Sequence, residues 1–227
     1  MDTHEYQAKK ILKDYQIPTP EFFVVSSLDE VNDLIQKQQL EQAVLKVQVH
    51  AGGRGKAGGI KIARNPDEIR QVARELLGKK IINNQTGKEG LVANQLLVTP
   101  PIEIAHEYYL GITIDRRQGR ALLIASAAGG MDIEEAAHKT PEKVLFLSIP
   151  SDGQLRSYHY VQLAKTMGWT GDLAEQGRKL TTALVKAFHE TDATLIEINP
   201  LVQTPDGKLI ALKLGANHVR NLDVFSE

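Results

Sequence analysis

Two short stretches carry side chains whose types and spacing suit phosphate chemistry. The first is Lys46 followed by His50-Ala51-Gly52-Gly53-Arg54-Gly55-Lys56-Ala57-Gly58-Gly59, in which five of the last eight residues are glycine. Backbone N–H groups in such a loop, with the cations Arg54 and Lys56 beside them, can close over phosphate oxygens. The alternative is a mobile hairpin tip with solubilising charges. So many glycines carry a large entropic cost for a mere turn, which favours anion binding. Lys46, inside the Val/Leu run just before the loop, adds a phosphate partner. The second stretch is Thr194-Leu195-Ile196-Glu197-Ile198-Asn199-Pro200. Side chains alternate along a strand, so Leu195, Glu197 and Asn199 share one face. Carboxylate and amide oxygens projecting together suit a hard cation such as magnesium. They equally suit a solvated edge strand, which Pro200 also permits.

Two nucleotide motifs fail on context. Gly53 to Gly58 reads G-x-G-x-x-G by letter, but a dinucleotide fingerprint needs a helix to follow, and Gly59-Ile60-Lys61-Ile62 reads as strand. A phosphate-binding P-loop requires glycine where His50 stands and serine or threonine where Ala57 stands. What survives is a strand–glycine loop–strand element. Hairpin chemistry adds a further constraint near the second stretch. Thr204-Pro205-Asp206-Gly207-Lys208 is a strong turn signal. If Thr204 pairs with Lys208, paired residue numbers sum to 412 and Asn199 stands opposite position 213. Directly opposed side chains start about 4.5–5.5 Å apart, the right scale for two ligands of one metal, yet the residue there is Lys213.

The elements that position these groups follow from periodicity. Tyr6, Ala8, Ile11, Leu12 and Tyr15 recur at helical spacing before Pro18 and Pro20, with Asp2 and Glu5 at capping-box spacing. Strands are predicted over 22–25, 43–49, 60–63, 91–98, 107–114, 121–125, 144–149, 194–199 and 208–212. Helices are predicted over 28–40, 66–77, 158–167 and 173–189, the last with Leu173, Leu180, Leu184 and Phe188 on one side. Hairpins mixed with helices, without regular βαβ alternation, give an α+β class.

Composition closes off other functions. The 227 residues hold 27 Lys plus Arg against 28 Asp plus Glu, a net charge of -1, so no broad basic surface for nucleic acid is available. There is no cysteine, which rules out disulfides, thiolate metal sites and thiol catalysis. No apolar run approaches the ~20 residues of a membrane span. The polar start lacks the apolar core of a signal peptide, so a cytoplasmic location is expected.

Taken together, His4-Glu5-Tyr6-Gln7-Ala8-Lys9, the run from Val47 to Gly59, and Ile196-Glu197-Ile198-Asn199-Pro200-Leu201-Val202 resemble the β subunit of ADP-forming succinate–CoA ligase, over about residues 1–212. The resemblance implies the ATP-grasp fold, α+β, with two α/β lobes clamping a nucleotide. The smaller lobe corresponds to about 21–102 and the remainder to 1–20 plus 103–212. It implies a reversible reaction of the tricarboxylic acid cycle, in which ATP, succinate and CoA give succinyl-CoA, ADP and phosphate. The partner is an α subunit, in a heterodimer or heterotetramer, whose histidine carries the phosphoryl group. None of this chain's seven histidines need do so. No nucleic acid or membrane is involved.

Carried over by motif, Lys46, Gly53, Arg54 and Gly55 hold nucleotide phosphates. Thr99 and Ile102 lie near the base and Glu107 near the sugar. Asn199 binds magnesium, and Glu197, the catalytic group, meets the partner's phosphohistidine loop. Pro20 leans towards adenine. Three departures stand out. Thr99 replaces a frequent glutamate, Ala128 replaces one before Gly129-Gly130, and Lys213 stands where the resemblance calls for aspartate, the second magnesium ligand. Residues 213–227 are therefore expected to be a divergent or non-native tail on a truncated chain, with the C-terminal CoA-ligase domain absent; a degenerate natural nucleotide-binding protein is the alternative. Weak ATP binding with little magnesium dependence is expected. Malate–CoA ligase, and a non-catalytic ATP-grasp assembly module, remain as rival functions.

Overall fold

Most of the secondary structure forms where the periodicities place it, and two separate hydrophobic cores divide the chain. A computed structural model describes residues 3–51, 53–83, 86–130 and 133–217. One unit comprises Pro20–Ile102; the other joins Met1–Thr19 to Glu103–Glu227.

In the 20–102 unit, β1 (Phe23–Val25), β2 (Ala43–Val47), β3 (Ile60–Ala63) and β6 (Leu96–Thr99) form an antiparallel sheet in the order β1-β6-β2-β3. Helices α2 (Leu28–Gln38) and α3 (Pro66–Leu76) are capped by Ser27 and Asn65, whose side chains accept the Glu30 and Glu68 N–H groups. Val31, Ile35, Ile69, Ala73 and Leu76 of these helices share a core with Ala43, Leu45, Val47, Leu96 and Val98. By the period of two, Lys46, Leu97 and Thr99 stand on the opposite face of the sheet. The continuous strand expected over 91–98 is two strands. β5 (Leu91–Val92) pairs with β4 (Lys80–Ile81), the Ala93 N–H bonds to the Lys79 carbonyl, and β6 then turns to pair with β1 and β2.

The other unit is built on a sheet in the order β11-β10-β7-β8-β9, with β12 also on β10. Its strands are β7 (His106–Asp115), β8 (Arg120–Ser126), β9 (Val144–Ser148), β10 (Leu195–Gln203), β11 (Leu209–Ala211) and β12 (Leu214–Asn217). Leu110, Ile112, Leu123, Ala125, Ile196 and Ile198 point to the core, which also takes in residues of α1 (Glu5–Asp14), α5 (Ser157–Met167) and α6 (Gly171–Glu190). Helix α1 begins after His4, whose N–H bonds to Gln7 Oε1 at 2.9 Å; the expected cap at Asp2 lies outside the described residues. Its Lys9 is fully buried, and Nζ donates to the Leu212 carbonyl at 2.7 Å.

The turn arithmetic is realised throughout β10. Leu201 faces Ala211, Ile198 faces Leu214 and Leu195 faces Asn217, so every pair keeps the sum of 412. Residues 214–217, inside the stretch expected to diverge, are thus an ordinary strand; 218–227 lie outside the described residues. The short helix α4 (Ile133–Lys139) had no periodic signal. Among the described residues no helix is long and apolar enough to cross a membrane.

Candidate functional site

Each unit carries its own group of candidate residues. In the 20–102 unit the β2 strand runs into the glycine loop, and β3 leaves it antiparallel, with Lys46 facing Ile60. No helix follows the loop, so the dinucleotide reading fails for the reason anticipated. Lys46 is buried (6% exposed), as are Gln48 and Thr99. Thr99 faces Val44 while Leu97 faces Lys46, which puts Thr99 and Lys46 on one face as diagonal neighbours. Ile102 is half-buried, three residues past the end of β6.

Arg54 is not the solubilising tip charge of the alternative reading. It is buried, and Nη1 donates to the Val47 carbonyl at 2.9 Å, tying the loop back to its own strand. The Gly59 N–H closes the same turn on the Arg54 carbonyl at 2.8 Å. Gly53 adopts a left-handed φ of 66°, a conformation that glycine reaches without steric cost. A methyl on Gly59 would sit 2.6 Å from Val47 Cγ2, so glycine there permits close packing of loop on strand. Lys56 is exposed at the tip.

In the other unit, the sheet face turned away from the core collects Glu107, Tyr109 and Gly111 of β7 with Glu197 and Asn199 of β10. Glu197 is flanked by a glycine on each side, opposite Gly111 on β7 and Gly215 on β12. The β10–β7 register shifts between Ile198 and Leu201, and such irregularities re-aim side chains. Gly129-Gly130 fits into this break. The Gly129 N–H bonds to the Glu107 carbonyl at 3.0 Å, the Gly130 N–H donates to Asn199 Oδ1 at 2.9 Å, and a Cβ on Gly130 would collide with Glu107 Oε2. The structure thus brings Glu107 and Asn199 together around Gly130. The Ala127 carbonyl accepts from His106 Nε2 at 2.7 Å, a structural contact.

Periodicity alone did not single out Tyr109. It is buried beside Gly111, where an added methyl would lie 2.8 Å from its Oη. Its place two residues after Glu107 on one strand was the available signal. Burial chiefly, then the charges of Glu197 and Glu134, push its phenol well above the ordinary value. A folded-state value raised above the unfolded one stabilises the fold fully below about pH 10, and this contribution is lost as pH climbs beyond it. Tyr15 and Tyr108 shift in the same direction, also chiefly through burial. Denaturant unfolding between about pH 8 and 11 is expected to show a falling alkaline limb that Tyr109→Phe flattens; an unchanged slope in that variant would remove Tyr109 from the account.

Magnesium is poorly matched by the pair at 199 and 213. Asn199 Oδ1 accepts the Gly130 N–H with one lone pair and keeps a second, but it is a neutral ligand, and the residue facing Asn199 is Lys213, whose carbonyl accepts the Asn199 N–H at 3.0 Å, where the resemblance calls for a carboxylate. Among the described residues no group of three or more His, Asp or Glu is placed to hold a metal.

A profile of the ATP-grasp domain matches residues 2–203. The chain belongs to the ATP-grasp family. This ATP-grasp chain is 53% identical, over 93% of its length, to the ADP-forming succinate–CoA ligase β subunit of Protochlamydia amoebophila, and 46% identical to that of Chlamydia pneumoniae. It spans 54% and 55% of those two relatives, about half their length. Among solved structures, a Pyrococcus horikoshii protein superposes with a TM-score of 0.73 at 17% identity, covering 97% of this chain and 92% of that one. The dinucleotide-forming acetyl-coenzyme A synthetase 1 of Ca. Korarchaeum cryptofilum gives 0.71 at 18%, covering 96% and 93%. At such identities the likeness is one of fold, and it is the α+β ATP-grasp fold expected.

Proposed function

We propose that this ATP-grasp chain is the nucleotide-binding part of a succinate–CoA ligase β subunit, exchanging a phosphoryl group between ATP or ADP and a histidine of an α subunit. The observation that carries the reading is a buried lysine on a strand that enters a glycine loop and returns as a strand, in a chain 53% identical to such a β subunit. Phosphoryl transfer depends mostly on positioning and charge neutralisation, and these are the parts for it. Lys46 takes a phosphate oxygen. The loop N–H groups around Gly53 and Gly55 supply further donors, and Arg54 braces the loop through Val47. Thr99 and Ile102 stand on the base side, and Glu107 on the sugar side. Glu197, with only glycines beside it across the sheet, has room to meet an incoming phosphohistidine loop. Succinate and CoA would enter through the complex with the α subunit. No step is assigned to magnesium.

One observation favours a second reading. A lysine facing Asn199 suits a non-catalytic ATP-grasp module that binds nucleotide and the α subunit without turnover. Calorimetric titration with ADP, and separately with GDP, tests the nucleotide reading. Saturable one-site binding of ADP is expected, and no heat from either nucleotide would overturn it. Adding phosphorylated α subunit and ADP then separates the two functions, because ATP appears only if the site transfers phosphate.

A further inference from the structure

The β7–β8 hairpin ends in a turn that concentrates cations, in a chain whose net charge is -1. It reads Asp115-Arg116-Arg117-Gln118-Gly119-Arg120, three guanidiniums against one carboxylate. Asp115 faces Arg120 across the hairpin, and its Oδ1 accepts the Arg117 and Gln118 N–H groups at 2.9 and 3.2 Å. The turn is thus held by its own hydrogen bonds, and one Asp115 oxygen is committed to the backbone. Arg116, Arg117 and Arg120 are all exposed, and among the described residues none of the three is in an ion pair. Arg70, Arg156 and Arg178, by contrast, each hold a carboxylate three or four residues away along their own segment.

Strand register ties this tip to the Glu197 face. Positions 111, 113 and 115 of β7, and 120, 122 and 124 of β8, alternate to the face away from the core. One row across the sheet reads Phe146, Ile124, Gly111, Glu197. The Asp115–Arg120 pair lies four residues along from that row, about 13 Å at roughly 3.3 Å per residue. Phe146 lies three strands from Glu197, about 14 Å at roughly 4.8 Å per strand. It is 47% exposed on β9, the last strand of the sheet. Under the function proposed above, nucleotide occupies the Glu107 end of β7, so a protein loop reaching Glu197 comes in over the 113–120 end. A standard interface covers about 800 Å² per partner, a disc of about 16 Å radius. Centred on Glu197, such a disc takes in both the arginine tip and Phe146, and arginine and aromatic side chains are enriched in interfaces of this kind.

We propose that Arg116, Arg117 and Arg120, with Phe146 beside them, form the docking rim for the histidine-bearing subunit, which meets them with a surface of carboxylates. The inference rests on the phosphoryl-transfer reading and adds to it where the partner lands and what its surface carries. Guanidinium forks hold carboxylates bidentately, and rim charges act chiefly on the association rate and its salt dependence. A nucleic acid suits the surface less well. Three cations beside an exposed aromatic make a small mixed patch, whereas a phosphate backbone calls for an extended basic one.

The test is stopped-flow association of the full 227-residue chain with the phosphorylated α subunit used to test transfer. The wild-type rate constant should fall about tenfold or more between roughly 20 and 300 mM salt. Arg116→Glu, Arg117→Glu and Arg120→Glu together should slow association at low salt by about tenfold or more and remove the salt dependence. The corresponding triple lysine variant keeps the charge and should stay within about fivefold of wild type. Phe146→Ser should act on the dissociation rate instead, raising it about fivefold or more. Circular dichroism shows whether each variant is folded, and Arg117→Glu alone, expected to slow association about threefold, serves should the triple variant misfold. An unchanged association rate in the folded glutamate variants overturns the inference while the transfer reading stands, since ATP formation measures that separately. Oligonucleotide binding that is lost in those variants, with α-subunit association untouched, assigns the tip to nucleic acid and overturns it as well. No association of the wild-type chain at any salt overturns both this inference and the proposed partner, and leaves ADP binding to its own titration.

Discussion

Gly129→Ala is expected to cost the fold about 3 kcal/mol or more, the upper end for overpacking against parts that cannot yield. A methyl at 129 would lie 2.6 Å from both Tyr108 N and Tyr108 C, and closer still to the Tyr108 carbonyl oxygen. These are backbone atoms of β7, which is held by β10 on one side and β8 on the other. The strand cannot retreat, so the 127–130 segment must lift. Lifting breaks the bond from Gly129 to the Glu107 carbonyl and the one from Gly130 to Asn199. A midpoint of thermal unfolding lowered by roughly 6–12 °C is the expected reading, at about 2–4 °C per kcal/mol for a chain of this size. Gly215→Ala is the control. It lies on the same sheet face with nothing within 4 Å of an added Cβ, and its cost should stay under about 0.5 kcal/mol, as for an ordinary surface substitution. Equal stability for the two variants would show that the Gly129 segment adapts.

The second large effect is on binding. Lys46→Met should weaken ADP binding by about tenfold to a hundredfold, the equivalent of roughly 1.5–3 kcal/mol for hydrogen bonds to a charged group. Methionine is a close match in length and removes only the charge and its donors. Because Lys46 stands on the sheet face away from the α2–α3 core, the unfolding midpoint should move little while the dissociation constant moves greatly. That split is the diagnostic. Unchanged ADP affinity in a folded variant would take Lys46 out of the phosphate site and leave the glycine loop to act alone.

Much of this was legible in the residues because it depends on short-range rules. The loop between β2 and β3 was recognisable as hairpin rather than strand-to-helix because Ile60 and Ile62 alternate, and period two is a local property. The Asn199–Lys213 juxtaposition was legible because a turn at Thr204–Lys208 sets the register of every later pair, and one-residue slips would turn buried side chains to the wrong face. The break between β5 and β6 was not legible. Leu91 to Val98 is apolar enough for one strand, and only its two different pairing partners, β4 and then β1 with β2, divide it.

By itself, then, the sequence determined the α+β class, the strand–glycine loop–strand element, and which residue faces which across the last hairpin. Tertiary structure alone decided the surroundings of those residues. It buried Arg54 against Val47, set Tyr109 beside Glu197, and brought Gly130 to Asn199 from 69 positions away and Lys9 to Leu212 from 203 away. The reason is physical. Alternation and turn chemistry act over a few bonds of chain, whereas the orientation of the Asn199 amide depends on a donor that only the packed sheet delivers.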